Sequence, residues 1–307
     1  MNSEKTAEDN LKMLQKGSGK LYLLCLIVGA LTGFTVSVYR WGLNWANHLR
    51  MSLFGRDELD HPMVLIGVWA VFIAIGLIVD FIAKKFPKTS GSGIPQVKGI
   101  ILRQLDYGKW FWELIAKFVG GLLGIGCGLS LGREGPSVQL GSYIGYGATK
   151  IFNRNSVEKK YLVTSGASAG LAGAFGAPLA GVMFALEELH KFISSKLLIC
   201  TFMASIASDF VGRRMFGMQT AFDLSIGYPK SISPYLQVIL FVLFGILIAF
   251  FGKLFTMTLI KVQDIYKGAK LPRWAKVSFV MTTSFLFCMF LPEVTGGGHE
   301  LVEEMAG

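Results

Sequence analysis

Charged residues are scarce in this sequence. Asp, Glu, Lys and Arg make up 16% of 307 residues, whereas an ordinary soluble domain has about 25%. Two long stretches, 118–132 and 135–149, contain no charged residue. Hydrophobic residues make up 52%, and the mean hydropathy is +0.51. This balance excludes an ordinary soluble domain and predicts a membrane protein with several spans of about 20 apolar residues.

Several other signals are missing. The four cysteines do not form a metal-ligand pattern or a disulfide framework, so we interpret them as packing residues. We find no nucleophile–base pair and no metal-ligand set, so we expect neither an enzyme nor a bound cofactor. The polar start, Met1 to Lys20, has no short hydrophobic core followed by a cleavage site, so we expect no cleaved signal peptide.

The formal net charge of +10 is not gathered on one arm or face. The basic residues occur in short runs between apolar blocks, as at Lys84, Lys85 and Lys88. This pattern is typical of the positive-inside bias of membrane proteins. We therefore expect a multi-pass integral protein of a prokaryotic cell membrane, in contact with lipid and without a nucleic-acid partner.

The apolar segments predict an all-α protein. We expect a short amphipathic cytoplasmic segment at 1–19, a polar loop at 47–61 and a charge-free block at 161–186. The apolar helices are predicted at 21–46, 62–82, 109–129, 195–211, 234–267 and 274–291. Several segments are interrupted by Gly and Pro, and such irregular backbone is tolerated at membrane depth only inside protein or beside a water-filled cavity. Small residues at Gly120, Gly124 and Gly128 allow close helix contact. Together these features favour a transporter or channel core.

Two motifs share one design. "GSGIP" (91–95) and "GREGP" (132–136) place glycines and then a proline ahead of a helix-compatible run. Proline suits the first turn of a helix, and a helix N-terminus has outward N–H groups and a partial positive charge. Two such ends meeting at the membrane midplane would form an anion site, a recurring device in transporters. The Ser92 hydroxyl would be an added donor.

Two acidic positions are candidates for proton chemistry. Glu134 lies between the uncharged stretches, where a carboxylate costs about 2.5–3.5 kcal/mol to insert; it could act as a tethered anion that a proton removes. A structural salt bridge to Arg133 is the alternative, but adjacent helix residues do not face each other. Glu187–Glu188 ends the block 161–186 and could either carry protons or mark the water interface.

These residues resemble the signature segments of the CLC chloride channels and transporters. The likeness lies in "GSGIPQ" (91–96), "GREGPSVQLG" (132–141) and "GAPLAGVMFALEEL" (176–189), with a later "GGGHELV" turn. The resemblance implies a CLC-type inverted-repeat fold of broken, tilted helices. It implies a first half at 20–215, the start of a second half at 216–307, and a homodimer with one anion pathway in each subunit.

The resemblance also implies a role for each matching residue. Ser92 matches the serine that contacts the central chloride, and Gly93 and Ile94 belong to the same helix end. Glu134 matches the gating glutamate, with Arg133 and Gly135 at the adjacent helix terminus. Two further residues match flanking positions: Glu188 the internal proton-transfer glutamate, and Lys117 a buried base that raises the local positive potential.

The implied function is a chloride/proton antiporter, because both Glu134 and Glu188 are present. Ser92 favours chloride over fluoride. The family's Gly-x-Phe-x-Pro helix end and pore tyrosine have no match, so we expect a chain truncated in its second half. A passive chloride channel and a non-transporting half that needs a partner are the alternatives.

Overall fold

The computed structural model describes residues 2–54, 62–217 and 233–298 of the chain. Within these ranges the protein is helical and has no strand. The helices are α1 (Asn2–Phe54), α2 (Pro62–Lys85), α3 (Ile94–Ile101), α4 (Trp110–Gly126), α5 (Glu134–Ile151), α6 (Ser156–Phe175), α7 (Pro178–Phe184), α8 (Ser195–Phe216), α9 (Pro234–Gly268) and α10 (Arg273–Phe290). A π-helical turn, Ala185–His190, follows α7, and 3-10 turns occur at Pro87–Thr89 and Pro292–Val294.

Most of the predicted helices are confirmed, with small shifts at their ends. Four described helical segments are long and apolar enough to cross a membrane: Gly19–Phe54, Pro62–Lys85, Ser195–Phe216 and Tyr235–Gly268. The charge-free block is interrupted at Gly176, which adopts a left-handed conformation between α6 and α7. The break coincides with the "GAP" triplet, as the interruption by Gly and Pro predicted.

The expected polar loop at 47–61 is wrong for residues 47–54, because α1 continues to Phe54. Its polar residues here are helical and make packing contacts. Arg50 is buried and donates to the carbonyl oxygens of Ile125 and Gly126 and to the Asn47 side chain. Polarity at this end of α1 therefore reflects contact with the end of α4. Helix α1 also runs through the predicted boundary at residue 19 without a break.

Small residues let α5 and α6 touch along their backbones. A β-carbon added at Gly141 would clash with the Gly166 carbonyl oxygen, and one at Gly145 would clash with the Leu162 carbonyl oxygen. Close contact between helices is confirmed, and at Gly128 a β-carbon would come within 2.5 Å of the Cys288 sulfur. At Gly120 an added β-carbon would meet its nearest neighbour, Ile82, at an ordinary 3.8 Å.

The core of the protein surrounds this α5–α6 pair. Helices α1 and α8 pack on one side of α6, α4 packs against α5, and α7 packs against α6 and α8. A separate cluster holds α10 against α2 through Phe72, Met281 and Phe285. Helix α9 is different, since none of its hydrophobic window is buried within the described part of the chain. The division into halves at 215 stays a prediction; α8 ends at Phe216.

Candidate anion site

Both glycine–proline motifs begin helices where the pattern predicted. Helix α3 begins at Ile94 after Gly93, whose φ of 99° is in the left-handed region. Pro95 occupies the first turn of α3. Helix α5 begins at Glu134, and Pro136 lies in its first turn. The start of each helix therefore presents backbone N–H groups that have no partner within the helix.

The two helix starts lie against each other. A β-carbon added at Gly135 would come within 2.5 Å of the Ser92 carbonyl oxygen and 3.1 Å of the Ser92 β-carbon. A β-carbon at Gly93 would likewise come within 2.5 Å of the amide oxygen of Gln139, which also belongs to α5. Gln139 also donates from Nε2 to the Lys88 carbonyl oxygen at 2.8 Å. Glycine at 135 and 93 is therefore required for α3 and α5 to approach this closely.

A cavity of about 640 Å³ opens where these helix starts meet; it is called the Glu134 cavity below. Its other walls come from α2 and from the glycine-rich face of α4. The sequence-predicted residues that line it are Ser92, Ile94, Lys117, Glu134 and Gly135. Residues separated by more than 40 positions in the sequence are thus brought to one concave surface whose polar groups include two helix N-termini.

Glu134 is the acidic residue that lines this cavity. It is half-buried, and its carboxylate lies against Gly132, where any β-carbon would clash with Oε2. Glycine at 132 therefore leaves room for the carboxylate at the start of α5. A negative charge there is favourable because the helix N-terminus is partially positive. This is the placement expected of an anion that competes with a dissolved one.

Lys117 supplies the cation of the cavity wall. Its side chain is 5% exposed, and its ammonium donates to the carbonyl oxygens of Thr89 at 2.9 Å and Gly91 at 2.7 Å. These bonds fasten the segment before α3 to α4. The family resemblance implied a source of positive potential; the structure adds two hydrogen bonds that position the segment with Ser92 and Gly93 at the cavity.

Glu188 lies apart from the residues that line the Glu134 cavity. It is exposed, within the π-helical turn, and its Oε1 is 3.2 Å from the ammonium of Lys98. Lys98 belongs to α3, the helix that starts at the cavity. Eight residues of α-helix span about 12 Å, so α3 connects the cavity with the surroundings of Glu188. Lys98 was not predicted as a site residue, because nothing in the sequence distinguishes it from the other basic residues.

Arg133 faces another space. It lines a second cavity of about 220 Å³ together with Arg50 and the 295–298 segment, called the arginine cavity below. Arg133 directly precedes Glu134 in the chain, but the two side chains line different cavities at the start of α5. A direct role for Arg133 as a ligand inside the Glu134 cavity therefore stays a prediction.

Metal ligands do not cluster in the described residues: no group of three or more His, Cys, Asp or Glu side chains there could hold an ion. All four cysteines are buried and reduced. Cys25 and Cys200 share one apolar cluster, and Cys127 and Cys288 share another. They pack in the core, as their apolar sequence context suggested.

Comparison with known proteins gives one consistent family. A family model described as "Voltage gated chloride channel" matches residues 75–307. The chain is 32% identical over 295 residues to an H(+)/Cl(-) exchange transporter ClcA of Vibrio parahaemolyticus, and covers 62% of it. It is 30% identical over 294 residues to the transporter of that name from Salmonella paratyphi B, and covers 60% of it. The alignments cover 92% of this chain, which thus spans about three fifths of these relatives' length.

Solved structures show the same fold. A slow cyanobacterial Cl-/H+ antiporter superposes with a TM-score of 0.80 and 28% identity, covering 92% of this chain and 67% of that one. A CLC-type fluoride/proton antiporter superposes with a TM-score of 0.75, 22% identity and coverage of 93% and 69%. At that identity the second likeness concerns the fold alone.

Proposed function

Because the chain belongs to the voltage-gated chloride channel family, we propose that it takes part in the exchange of chloride for protons across a membrane. It is a multi-pass integral membrane protein with the family's all-α fold. The relatives named as exchangers and the antiporter structure support this reaction class. Since the chain spans about three fifths of those relatives, the activity of the whole protein is inferred from the site that these residues build.

The observation that supports the proposal is the meeting of α3 and α5 at a single cavity with Glu134 at its edge. Chloride would bind there to backbone N–H groups and to the Ser92 hydroxyl. Glu134 would occupy the same positive region when it is ionised. Protonation removes its charge and its attraction to the helix start, so chloride takes its place. One proton and one anion thereby compete for one site.

Glu188 would pass protons between the inner solution and the Glu134 cavity. The Lys98 ammonium lies 3.2 Å from the Glu188 carboxylate, beside α3. Ser92 favours chloride as the anion. The working unit would be a homodimer in a prokaryotic cell membrane, in which each subunit has its own pathway.

The first prediction concerns Glu134. Glu134→Gln keeps the size of the side chain but removes its titration, so proton movement driven by a chloride gradient is expected to cease while chloride flux continues. The measurement is pH recording and chloride efflux from liposomes that contain the purified protein. Proton pumping by the Glu134→Gln protein would contradict the mechanism. Glu158→Gln, a carboxylate that pairs with Arg154 away from the cavity, is the control.

The second prediction concerns Glu188. Glu188→Gln is expected to stop proton transport and leave a reduced chloride flux, because the anion cavity remains intact. The neighbouring Glu187→Gln, in the same turn, is the matched control and should keep coupled exchange. Equal loss in both variants would show that the turn is needed for folding and that Glu188 has no separate part.

A passive chloride channel is the alternative within transport. Its reversal potential would follow the chloride gradient alone, whatever the pH difference across the membrane.

A second alternative is a chain that binds anions but transports only with a partner. The exposure of α9 along its length favours it. Chloride binding without flux, measured on the purified 307-residue chain, would identify this case.

A further inference from the structure

Tyr39 of α1 carries a hydroxyl group without a hydrogen-bond partner in the described part of the chain. The side chain is 0% exposed, so water does not reach the hydroxyl in this arrangement. Leaving a buried polar atom unpaired costs free energy, whereas phenylalanine would fill nearly the same space without that cost. An unpaired hydroxyl in a close-packed core therefore needs an explanation.

The aromatic ring of Tyr39 is fixed by its neighbours. It packs in one cluster with Leu43, Ile125 and Leu140, and it meets the ring of Phe118 edge-on with the centroids 5.2 Å apart. Because the hydroxyl oxygen lies on the axis of the ring, a fixed ring also fixes the oxygen. The hydroxyl is thus held at one place among α1, α4 and α5.

That place adjoins the Glu134 cavity. A β-carbon added at Gly121 would lie 2.3 Å from the Tyr39 hydroxyl oxygen, so glycine at 121 is what leaves room for the hydroxyl. Gly121 and Ile125 also line the Glu134 cavity. The hydroxyl therefore lies against a part of the cavity wall that has no side chain. Glu134 is close enough for its charge to act on this hydroxyl.

The charged groups around Glu134 favour its ionised form at the start of α5. Lys117 of α4 lines the same cavity, and Arg133 precedes Glu134 in the chain. Arg40 of α1 is bonded to a carbonyl oxygen of α6. Once protonated, Glu134 loses its attraction to the helix start, and its neutral carboxyl group needs hydrogen-bond partners in poorly hydrated surroundings. The Tyr39 hydroxyl is such a partner, offered from α1.

We propose that the Tyr39 hydroxyl donates a hydrogen bond to the carbonyl oxygen of the protonated Glu134 side chain after that side chain leaves the start of α5. Tyr39 is then a positioning residue: it holds Glu134 away from the helix start while an anion occupies it. This inference rests on the proposed exchange function, which supplies the reason for Glu134 to move. It adds where the protonated side chain goes.

The first test is infrared spectroscopy of the purified 307-residue protein at acidic pH. The difference spectrum between the parent and Glu134→Ala isolates the carboxyl C=O band of Glu134. Tyr39→Phe removes the hydroxyl and keeps the ring, so it should shift this band to higher wavenumber and melt no lower than the parent. An unshifted band, or no Glu134 band at acidic pH, would overturn the proposal whether or not the protein binds chloride.

The second test is a double-mutant cycle on chloride binding, measured by calorimetry. Tyr39→Phe should weaken chloride binding at least fivefold in the parent, because protonated Glu134 loses its partner away from the anion. The same change should have no effect in the Glu134→Ala protein. Tyr107→Phe is the matched control, since its buried hydroxyl pairs with Ser142 at 3.0 Å outside this cavity; it should change neither the band nor the affinity.

The two readouts separate this inference from the exchange function. Equal weakening of chloride binding by Tyr39→Phe with and without the Glu134 side chain would overturn the inference, because the hydroxyl would then act independently of Glu134. A shifted band in a protein that binds no chloride would support the contact and refute the exchange function. Chloride binding with an unshifted band would keep the exchange function and refute the contact.

Discussion

At the scale of single residues, the packing of the surrounding helices decides which charged side chains line the Glu134 cavity. Arg133 and Glu134 are neighbours in the chain, yet they line different cavities because they flank the first turn of α5. Lys117 is distant in the sequence and lies in the cavity wall, where it bonds to two carbonyls. The family resemblance implied all three as site residues, but the cavity that each side chain lines follows from how α4 and α5 are packed.

The third prediction concerns Lys117. Lys117→Met removes the bonds to Thr89 and Gly91 and the positive charge at the cavity, so chloride affinity should fall about tenfold, or about 1.4 kcal/mol. Chloride binding to the purified protein, followed by calorimetry, is the measurement. Lys253→Met, on the exposed surface of α9, should leave the affinity unchanged. Unchanged affinity in Lys117→Met would show that the helix starts alone hold the anion.

At the scale of elements, contact between backbones determines the arrangement of α5 and α6. A β-carbon added at Gly141 would clash with the carbonyl oxygen of Gly166, and one added at Gly170 would clash with the carbonyl oxygen of Ser137 in α5. Interfaces of small residues allow helices to approach in membranes, where water gives no drive to associate. The start of α5 is in turn held against Ser92. Packing between α5 and α6 therefore fixes the position of Glu134.

The fourth prediction concerns this interface. Gly141→Ala forces the two helices apart, so the free energy of unfolding should fall by about 1–3 kcal/mol. Gly245→Ala is the matched control, because no atom lies within 4 Å of a β-carbon there and α9 is exposed. In that exposed helix alanine should be stabilising by up to about 1 kcal/mol. Thermal unfolding in detergent is the measurement, and equal melts for the two variants would contradict the described packing.

At the scale of the whole molecule, the described part divides into a packed body and an uncovered helix. Within α9 three consecutive residues, Val242, Leu243 and Phe244, are 58%, 57% and 59% exposed. Consecutive residues point about 100° apart around an α-helix, so no face of α9 is covered there. An apolar helix exposed on every side needs lipid or further protein around it.

The fifth prediction concerns α9 in a bilayer. Spin labels at 242, 243 and 244, each in a cysteine-free background of the 307-residue chain, should show equally high accessibility to dissolved oxygen. Equal values would indicate lipid on all faces. A variation with the helical period would show that another copy or partner covers one face, contrary to the prediction. A label at buried Val138 in α5 is the low-accessibility control.

Sequence and tertiary structure each determined a different part of this protein. The sequence alone was enough for the membrane class, the helix starts at Ile94 and Glu134 and most helix limits, because hydropathy and Gly–Pro breaks act locally. It misassigned the polar end of α1, since local polarity does not distinguish a loop from a helix face that contacts α4. Neither Gln139, which contacts Gly93, nor Lys98, which pairs with Glu188, was predicted as a site residue.

Only the tertiary structure decided which residues meet. The contact of Ser92 with Gly135, the bonds of Lys117 to the segment before α3, and the separation of Arg133 from Glu134 depend on elements far apart in the chain. Such contacts follow from the close packing of α3, α4 and α5, which no local pattern encodes. The sequence therefore predicted which residue types form the candidate anion site, whereas the tertiary structure determined how they are arranged.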